Sequence, residues 1–424
     1  MTRMNRRSFN RLLAASTATF TLAAPFVARG ANARVAVVGG GFGGATAAKY
    51  LRRFDSGLDV TLIEPNETFV TCPFSNTVIG GFNDMSRITH SYDGLRGHGV
   101  NVVHDMATAV DAERREVRLA GGSTIPYDKL IVSPGIDFRW GVIEGAEESA
   151  AETIPHAWKA GPQTMLLRRQ LEAMPDGGVF VISPPDNPFR CPPGPGERIS
   201  LVAHYFKTHK PRSKIIALDP KKGFSKEGLF KQAWEALYPG MIEYRNLEND
   251  GRVVRVDAAN LTLHTDFGEV TGDVVNFIPP QQAGQIAQDA GLADNTGWCP
   301  VEQLTFASTL VPDAHVIGDA SLAAPMPKSG FSASTQAKVC AAAIVATLNG
   351  QEPSAPKFVN TCYSLAAPDY GISVAGVYDY RDGKIIEIEG AGGLSPSDGD
   401  AAFRQQEADY ANGWYDSITQ DIFA

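Results

Sequence analysis

The chain has little of several things that other classes of protein need. It holds five cysteines and eight histidines in 424 residues, and the histidines show no spacing of the kind that metal ligands need. Beyond the first 30 residues, no apolar run reaches the ~20 residues of a membrane-spanning helix. Internal repeats and low-complexity tracts are absent. The sequence therefore predicts neither a metal site nor an integral membrane segment, and 43% hydrophobic with 20% charged residues exclude a disordered or fibrous chain.

Positive charge is also scarce outside the amino terminus. The formal net charge is -9, and the first 30 residues carry five arginines and no acid. Removing those residues would leave a net charge of -14, since each arginine carries one positive charge. An acidic body without a basic stripe argues against nucleic acid as a partner.

The amino terminus has the pattern of an export signal. Arg6-Arg7-Ser8-Phe9 resembles a twin-arginine motif, which a receptor reads on proteins that cross a membrane already folded. A weakly apolar stretch over residues 12–27 follows, and small residues at 28–33 suit cleavage by a signal peptidase. The alternatives are an amphipathic start or a retained anchor. The pattern predicts a signal over residues 1–30 and a periplasmic protein that binds its cofactor before export.

A glycine-rich turn between an apolar strand and a helix opens the body of the chain. Residues 35–38 predict the strand, residues 45–51 the helix, and residues 60–63 a second strand that ends at Glu64. The turn follows the pattern G-x-G-x-x-G and contains Gly39, Gly41, Phe42 and Gly44. Strand, glycines, helix, strand and acid in this register predict a dinucleotide-binding βαβ unit.

Each residue type in this motif is required by a physical role. Gly39 makes the tight turn, Gly41 lets the backbone approach a pyrophosphate, and Gly44 allows the helix to pack closely on the strand. The helix amino terminus faces the phosphates, and Glu64 can accept a hydrogen bond from a ribose 2′-hydroxyl.

Later motifs favour FAD as the ligand of this unit. Residues 127–135, which end at Gly135, resemble the strand that flavoprotein reductases place near the dinucleotide. In residues 314–320, Gly318 and Asp319 resemble their second FAD signature, whose aspartate meets the ribitol. Lys328 precedes a predicted helix whose amino-terminal dipole can stabilise negative charge on a reduced flavin.

The order of these motifs resembles that of flavoproteins with two dinucleotide domains. It predicts an α/β fold with two Rossmann-like domains and a small α+β C-terminal interface domain. The FAD-binding domain is split in sequence, over residues 31–160 and 286–355. The second Rossmann-like domain is predicted at 161–285 and the C-terminal domain at 356–424.

The second domain lacks the glycine fingerprint of a nicotinamide site. Its first strand, residues 178–183, runs into residues 184–197, where prolines replace the glycines. Proline has no backbone N–H to donate to a pyrophosphate. The sequence therefore disfavours NAD(P)H as the redox partner.

Two segments bear on contact with a membrane. Residues 221–237 combine lysines with aromatic side chains, a pattern typical of an amphipathic surface helix or of a solvated basic face. Residues 401–422 predict a final helix whose charges are mainly acidic. Helices that lie on bilayers have a basic or strongly apolar face, so this end favours a protein without bilayer contact.

The cysteines differ in their predicted surroundings. Cys340 lies among small residues on a helix and is predicted to be core, and Cys299 receives no role. Cys191, in a proline-glycine loop, and Cys362, at the start of the C-terminal segment, are better redox candidates because reactive thiols need exposure. On this reasoning alone, a structural disulfide between them is as probable as a catalytic one.

The loop C-P-P-G-P-x-E-R around Cys191 resembles that of the sulfide:quinone oxidoreductase and flavocytochrome c sulfide dehydrogenase family. The resemblance covers the mature chain and is greatest for the flavocytochrome flavoprotein subunits. It implies a redox disulfide over the flavin between Cys191 and Cys362, with Cys340 as the rival for the second position. It also implies that Glu197 accepts a proton, although Glu197 is equally an ordinary acid in the first turn of a helix.

The resemblance further implies covalent attachment of FAD through Cys72. Hydrosulfide would open the disulfide, and electrons would pass through FAD to haem c on a c-type cytochrome subunit. Three alternatives stay open: a sulfide:quinone oxidoreductase, an NADH-linked disulfide or coenzyme A reductase, and a non-catalytic flavin-binding subunit.

Overall fold

The computed structural model describes residues 32–424, and the export signal predicted for residues 1–30 lies outside them. The helices are α1 (Phe42–Phe54), α2 (Ser75–Ile79), α3 (Asp93–Gly97), α4 (Pro162–Ala173), α5 (Gly194–His209), α6 (Glu227–Leu237), α7 (Gln285–Asp289), α8 (Gly330–Leu348) and α9 (Ala401–Phe423). The strands are β1 (Arg34–Val38), β2 (Asp59–Ile63), β3 (Thr68–Val70), β4 (Thr89–Ser91), β5 (Asn101–Val103), β6 (Ala107–Asp111), β7 (Glu116–Leu119), β8 (Thr124–Pro126), β9 (Lys129–Val132), β10 (Ile136–Phe138), β11 (Val179–Ser183), β12 (Lys214–Leu218), β13 (Ile242–Arg245), β14 (Val253–Asp257), β15 (Thr262–Thr265), β16 (Glu269–Thr271), β17 (Val274–Phe277), β18 (Gln281–Ala283), β19 (Cys299–Pro300), β20 (Ala314–Val316), β21 (Ser321–Leu322), β22 (Lys357–Ala367), β23 (Tyr370–Arg381), β24 (Lys384–Glu387) and β25 (Gly393–Leu394).

A five-stranded parallel sheet carries the first dinucleotide motif. Its strand order is β20-β9-β1-β2-β5, and Val35 lies opposite Val60 in the register of the central pair. Its central strands are apolar runs buried on both faces, as parallel strands covered by helices must be. Since β20 comes from residues 314–316, the sheet is assembled from two separate parts of the chain.

A second parallel sheet lies in the middle of the sequence. Its order is β13-β12-β11-β17, and α5 connects β11 to β12 as a crossover helix. The two parallel sheets confirm the predicted α/β fold with two Rossmann-like units. The predicted domain boundaries stay predictions.

The end of the chain forms an antiparallel sheet and a long helix. Strands β22, β23 and β24 pair in sequence order, and α9 packs on β22 and β23. Helix α9 is also joined to the first part of the chain, because the Tyr415 hydroxyl lies 2.7 Å from Thr71 Oγ1 and 3.0 Å from His90 Nε2. The C-terminal segment is therefore packed against the first part of the chain.

Helix α8 corrects one expectation about membrane segments. At 19 residues it is long and apolar enough to cross a membrane by length and composition, which the sequence analysis did not anticipate. Half of the helix is buried, and it packs on α1 and β22. A core helix passes the same test of length and composition, so α8 is weak evidence for a membrane span.

The lysine-rich segment at residues 221–237 is not a solvated basic face. Lys221 and Lys226 are both buried, and so are Phe230 and Trp234 on α6. The other alternative, an amphipathic surface helix, agrees with the structure, because one side of α6 is buried while Lys231 and Glu235 are exposed. Lys221 and Lys226 precede this helix, and backbone carbonyls bind their ammonium groups.

Candidate functional site

Two adjoining cavities lie between the first sheet, α5 and the C-terminal segment. One, called here the nucleotide cavity, encloses about 700 Å³ and is lined by Gly39, Gly40, Gly41, Phe42, Glu64, Gly135, Gly318 and Asp319 among others. The other, called the cysteine cavity, encloses about 890 Å³ and is lined by Cys72, Trp158, Cys191, Glu197, Arg198, Cys362 and Trp414 among others. The two cavities share four wall residues: Cys72, Pro73, Arg190 and Gly330.

The glycine turn between β1 and α1 leaves no room for side chains. Gly39 has a φ of +96°, and a Cβ placed on it would lie 2.4 Å from the Ser133 carbonyl oxygen. A Cβ on Gly44 would lie 1.8 Å from the Gly39 carbonyl oxygen, which is the close packing expected of this position although Gly44 does not line the cavity. Backbone rather than side chain therefore faces the nucleotide cavity.

Both predicted acids lie at this cavity, and they differ in their hydrogen bonding. Glu64 is buried and accepts hydrogen bonds from the backbone N–H of Gly40 at 2.9 Å and of Asn66 at 3.1 Å. Asp319 has a buried Oδ1 atom with no hydrogen-bond partner. Burial raises the pKa of Asp319, and the positive charges of Arg190 and Lys328 oppose this rise. An unpartnered buried carboxylate oxygen needs a donor, and a ligand hydroxyl would supply one.

These features fit FAD. The glycine turn offers backbone to a pyrophosphate, Glu64 lies beside it for a ribose, and Asp319 has an oxygen free for a ribitol hydroxyl. When bound, FAD supplies two-electron acceptance together with one-electron release. The cysteine cavity adjoins this site directly, so a cofactor extending past Arg190 enters the space between the three cysteines.

Three of the five cysteines line one cavity although they are far apart in sequence. Cys72 follows β3, Cys191 precedes α5, and Cys362 lies on β22. All three are half-buried free thiols, so the structure contains no disulfide between Cys191 and Cys362. Cys362 is on β22, the strand that begins the C-terminal segment at Lys357. The predicted redox disulfide stays a prediction.

The other two cysteines are remote from the cavity. Cys340 is fully buried on α8 within the hydrophobic core, and burial raises the pKa of its thiol. Cys299 is fully buried on β19, where burial raises the pKa of its thiol to about 12. Of the two candidates for a partner to Cys191, the structure brings only Cys362 to the same cavity.

Glu197 is held at the cavity by donors outside its own helix. Its Oε2 accepts from Asn76 Nδ2 at 2.8 Å, and its Oε1 accepts from the backbone N–H of Leu365 at 2.9 Å. Glu197 does lie in the first turn of α5, as the alternative reading expected. Burial raises the pKa of its carboxyl, and the two donors together with the charges of Lys226 and Arg198 limit the rise. A raised pKa makes this carboxylate a better proton acceptor than an exposed one.

Arg198 is a buried guanidinium beside the cysteines. Its Nε donates to Asn76 Oδ1 at 3.0 Å, and its Nη1 donates to Asn276 Oδ1 at 2.9 Å. Further bonds go to the backbone carbonyls of His156 and Ala157. Burial lowers the pKa of Arg198 to about 9, while nearby negative charge on the cysteines and Glu197 acts to raise it. Its hydrogen-bond partners are neutral, and the carboxyl of Glu197, bonded to the same Asn76, is a negative side chain that interacts with it.

Lys328 is held next to the nucleotide cavity by backbone carbonyls. Its ammonium donates to the Asp319 and Ser321 carbonyls at 2.6 and 3.0 Å and lies 3.8 Å from the centre of the Trp298 ring. Asp319 lines the nucleotide cavity, whereas Lys328 itself lines neither cavity. The predicted charge of Lys328 near a reduced flavin stays a prediction, and Arg190 is a cation that lines both cavities.

In the second Rossmann-like unit, the protein's own side chains bind the acid that would otherwise be available to a nucleotide. Asp219 follows β12, where a ribose-binding acid is expected, but its Oδ1 lies 2.6 Å from Lys221 Nζ and its Oδ2 accepts from the Tyr244 hydroxyl at 3.0 Å. Lys221 also donates to the Pro185 carbonyl at 2.8 Å. The acid and the proline loop are thus bound to each other through Lys221.

Sequence reasoning missed four polar residues of the site: Arg190, Arg198, Lys226 and Asn360. The two arginines flank the cysteine loop, so the sequence of that loop could have identified them as candidates. Lys226 and Asn360 carry no local signal, because what distinguishes them is burial against other segments.

Three protein-family models match successive parts of the chain. Pyridine nucleotide-disulphide oxidoreductase matches residues 33–161, the central region of the sulfide dehydrogenase [flavocytochrome c] flavoprotein chain matches 164–279, and the flavin-binding region of flavocytochrome c sulphide dehydrogenase matches 354–423.

Relatives and solved structures agree with these models. The chain is 69% identical over 45 residues to the sulfide dehydrogenase [flavocytochrome c] flavoprotein chain of Chlorobaculum thiosulfatiphilum, covering 11% of this chain and 94% of that sequence. It is 25% identical over 369 residues to the sulfide-quinone reductase of Aquifex aeolicus, covering 80% and 83%. The solved sulfide:quinone oxidoreductase of Aquifex aeolicus superposes with a TM-score of 0.71 at 17% identity over 92% and 91% of the two chains.

The two parallel sheets and the nucleotide cavity define a flavoprotein of the pyridine nucleotide-disulphide oxidoreductase type. Within that class, the chain belongs to the family of flavocytochrome c sulfide dehydrogenase and sulfide:quinone oxidoreductase flavoproteins, and its cofactor is FAD.

Proposed function

We propose that this chain is a periplasmic sulfide dehydrogenase flavoprotein that oxidises hydrosulfide at a redox disulfide and passes electrons through covalently bound FAD to a c-type cytochrome subunit. One observation carries the proposal: three distant parts of the sequence bring Cys72, Cys191 with Glu197, and Cys362 to one cavity beside the nucleotide site. A packed core would bury such thiols among apolar side chains, as it does Cys340.

The cavity has the charge that hydrosulfide needs. Arg198 and Lys226 are buried cations bonded to neutral groups, and Glu197 is a nearby proton acceptor. Hydrosulfide attack on a Cys191–Cys362 disulfide forms one S–S bond and breaks another, which leaves a persulfide on one cysteine and a thiolate on the other.

Covalent attachment through Cys72 is supported by its position. Cys72 lies on the wall that the two cavities share, so its sulfur borders the space through which FAD would extend. Its thiol donates only to the Trp158 carbonyl, at 3.4 Å, which leaves the sulfur available for a thioether.

Acid denaturation of the holoprotein tests the attachment. We expect the yellow colour to stay with the pelleted polypeptide and mass spectrometry to find flavin on the Cys72 peptide. In a Cys72→Ala variant the flavin should wash away. Flavin that washes away from the wild type would reduce Cys72 to a packed thiol and restore the quinone-linked and NADH-linked alternatives.

Anaerobic bleaching of the flavin by sulfide tests the disulfide. We expect Cys191→Ser and Cys362→Ser to abolish bleaching, and the matched control Cys340→Ala to bleach like the wild type. Normal bleaching by Cys362→Ser would refute the pairing. A wild-type flavin that sulfide cannot bleach would support the non-catalytic alternative.

Quinone as the acceptor is the second candidate. The relatives named sulfide:quinone oxidoreductase align over most of this chain, which supports it. Against it stands α9, whose exposed positions include Gln405, Asp409, Asp416 and Gln420, a polar face rather than a bilayer surface. Sulfide-dependent reduction of a soluble c-type cytochrome, compared with a short-chain quinone, separates the two. We expect the cytochrome to be reduced at least ~10-fold faster, a barrier difference of about 1.4 kcal/mol.

A further inference from the structure

The surroundings of the two cavity sulfurs are unequal. Cys362 Sγ accepts a hydrogen bond from Asn360 Nδ2 at 3.3 Å. Within residues 32–424, no side chain or backbone group bonds the Cys191 sulfur. An N–H donor stabilises a thiolate more than a neutral thiol, because the bond to the charged acceptor is stronger. The inequality therefore bears on which sulfur can hold negative charge.

The orientation of the Asn360 amide is fixed by its other bonds. Asn360 is buried, and its Oδ1 accepts from the hydroxyls of Ser329 at 2.6 Å and Ser332 at 3.1 Å. Ser329 Oγ already accepts from the backbone N–H of Ser332, so its hydrogen is directed to Asn360. With the oxygen held by two donors, the Nδ2 group must face Cys362.

Lys226 adds a buried cation on the same side. Its ammonium donates to the Cys362 carbonyl oxygen and to Ser364 Oγ, each at 2.8 Å, and to the Ile372 carbonyl at 3.3 Å. The residue is only 5% exposed and has a φ of +63°, a conformation that a lysine adopts only when its surroundings impose it. Among the charges that interact with it, Cys362 has the largest effect. The charge therefore acts on both cysteines and most strongly on Cys362.

Cys191 differs from Cys362 in having no hydrogen-bond donor at its sulfur within the described residues. Its removal from bulk water raises the pKa of its thiol, negative charge on Cys362 or Glu197 raises it further, and the positive charges of Lys226 and Arg190 oppose the rise. Its backbone N–H donates to the Lys328 carbonyl at 2.8 Å rather than to any sulfur. Charge on the Cys191 sulfur is therefore stabilised by nearby cations but by no hydrogen bond, whereas Cys362 has both.

We propose that Asn360 and Lys226 are positioning residues that make Cys362 the thiolate-bearing sulfur, so that hydrosulfide adds to Cys191. This inference rests on the proposed function. The hydrosulfide sulfur bonds to Cys191 Sγ, the Cys191–Cys362 bond breaks, and its electron pair leaves on Cys362 Sγ. The hydrosulfide proton stays on the outer sulfur of the Cys191 persulfide. The sulfide sulfur is oxidised and the disulfide is reduced by two electrons. The better-stabilised thiolate is the better leaving group in such an exchange.

The position of the added sulfur is the direct test. The oxidised wild-type holoenzyme is mixed anaerobically with one equivalent of sulfide, quenched with a maleimide at acidic pH to suppress thiol exchange, digested and analysed by mass spectrometry. We expect the extra sulfur atom on the Cys191 peptide and direct alkylation of Cys362. An extra sulfur on the Cys362 peptide would overturn the inference while leaving the proposed function intact.

The pH dependence of flavin reduction tests the two positioning residues. Burial lowers the pKa of Lys226 to about 8, so the wild-type rate per hydrosulfide should fall as the ammonium loses its proton above that pH. Lys226→Met should be ~10-fold slower at pH 7 and lack this fall, whereas Lys226→Arg should keep the rate and its plateau to higher pH. Asn360→Leu should be ~10-fold slower and keep the fall.

Other groups near Cys362 titrate as well, and a control accounts for them. The titratable groups facing Cys362 or Lys226 are Cys191, Glu197, Tyr378 and Glu407. Lys221→Met removes the other buried lysine of the segment, which binds Asp219 and Pro185, and should keep the wild-type pH profile. If Lys226→Met keeps the fall near pH 8, Lys226 has only a structural role. If the wild-type flavin is not reduced by sulfide at all, the proposed function itself fails.

Discussion

At the scale of single residues, the site is a set of buried charges whose partners are mostly neutral. Arg198 and Lys226 bind carbonyls, hydroxyls and amides, and Glu197 binds an amide and a backbone N–H. Burying an ion without a counter-ion costs stability. Glu197 and Arg198 line the cysteine cavity and Lys226 binds the Cys362 carbonyl, so these charges lie where the proposed sulfur chemistry would use them.

The carboxylate of Glu197 provides a prediction at this scale. In Glu197→Gln the new amide must face a donor, because Asn76 cannot turn while its Oδ1 accepts from Arg198. We expect a ~100-fold slower flavin reduction by sulfide, as for loss of a general base, and a stability cost of about 1–3 kcal/mol. Stopped-flow kinetics and thermal unfolding measure both.

The control for this prediction is Glu235→Gln on the exposed side of α6, which should leave the rate and the stability unchanged. A Glu197→Gln variant that reduces its flavin at the wild-type rate would exclude Glu197 as the proton acceptor.

At the scale of elements, the β1–turn–α1 unit explains how sequence becomes a binding site. The strand is an apolar run, the helix begins at Phe42 directly after Gly41, and the turn between them has no side chains. The N–H of Gly39 donates to the Ile63 carbonyl and the N–H of Gly40 to Glu64, so the N–H of Gly41 and those of the first turn of α1 remain to face a ligand. Local sequence is sufficient to predict this unit because β1, the turn, α1 and β2 follow one another in the sequence, although β1 also pairs with β9 and Gly39 lies against Ser133.

Two glycines at helical positions should respond oppositely to substitution by alanine. In Gly44→Ala, the new Cβ meets the Gly39 carbonyl oxygen at 1.8 Å, so the turn must open and FAD incorporation should be lost. In Gly413→Ala on α9, nothing lies within 4 Å of the new Cβ, and the helix should gain about 1 kcal/mol. Flavin content and melting temperature check both variants, and full flavin content in Gly44→Ala would contradict the first.

At the scale of the whole molecule, the cysteine cavity exists only because three regions converge. Cys72 comes from the first sheet's connections, Cys191 from the second Rossmann-like unit and Cys362 from the C-terminal sheet. Tyr415 of α9 ties the last region to the first through Thr71. Any loss of packing between the regions therefore separates the cysteines before it unfolds a single sheet.

Acid should lower the stability of the whole fold through a buried histidine of the first sheet. His315, on β20, has a pKa lowered from 6.5 to about 4 by burial. Since the unfolded chain binds the proton first, stability is lost as the pH falls from 6.5 to about 4. The loss amounts to about 3 kcal/mol at 1.4 kcal/mol for each pKa unit. Relative to wild type, His315→Asn should lack this loss in thermal unfolding between pH 7 and 4.

The exposed His98 is the matched control for His315. His98→Asn should follow the wild-type curve over the same pH range. Parallel curves for His315→Asn and the wild type would show that this histidine does not contribute to the acid sensitivity.

The sequence by itself determined the features whose contacts are local. The strand-turn-helix of the first dinucleotide unit, the missing second fingerprint and the motif around Cys191 were all readable, because residue spacing along the chain sets their geometry. The fold class and the family followed from their order, and both are confirmed.

Only the tertiary structure decided which residues meet. It brings Cys362 rather than Cys340 to the cavity of Cys191 and buries Lys226 beside Cys362. These outcomes depend on contacts between residues more than 100 positions apart, and the burial that gives a lysine or a thiol its chemistry has no signature in the neighbouring sequence.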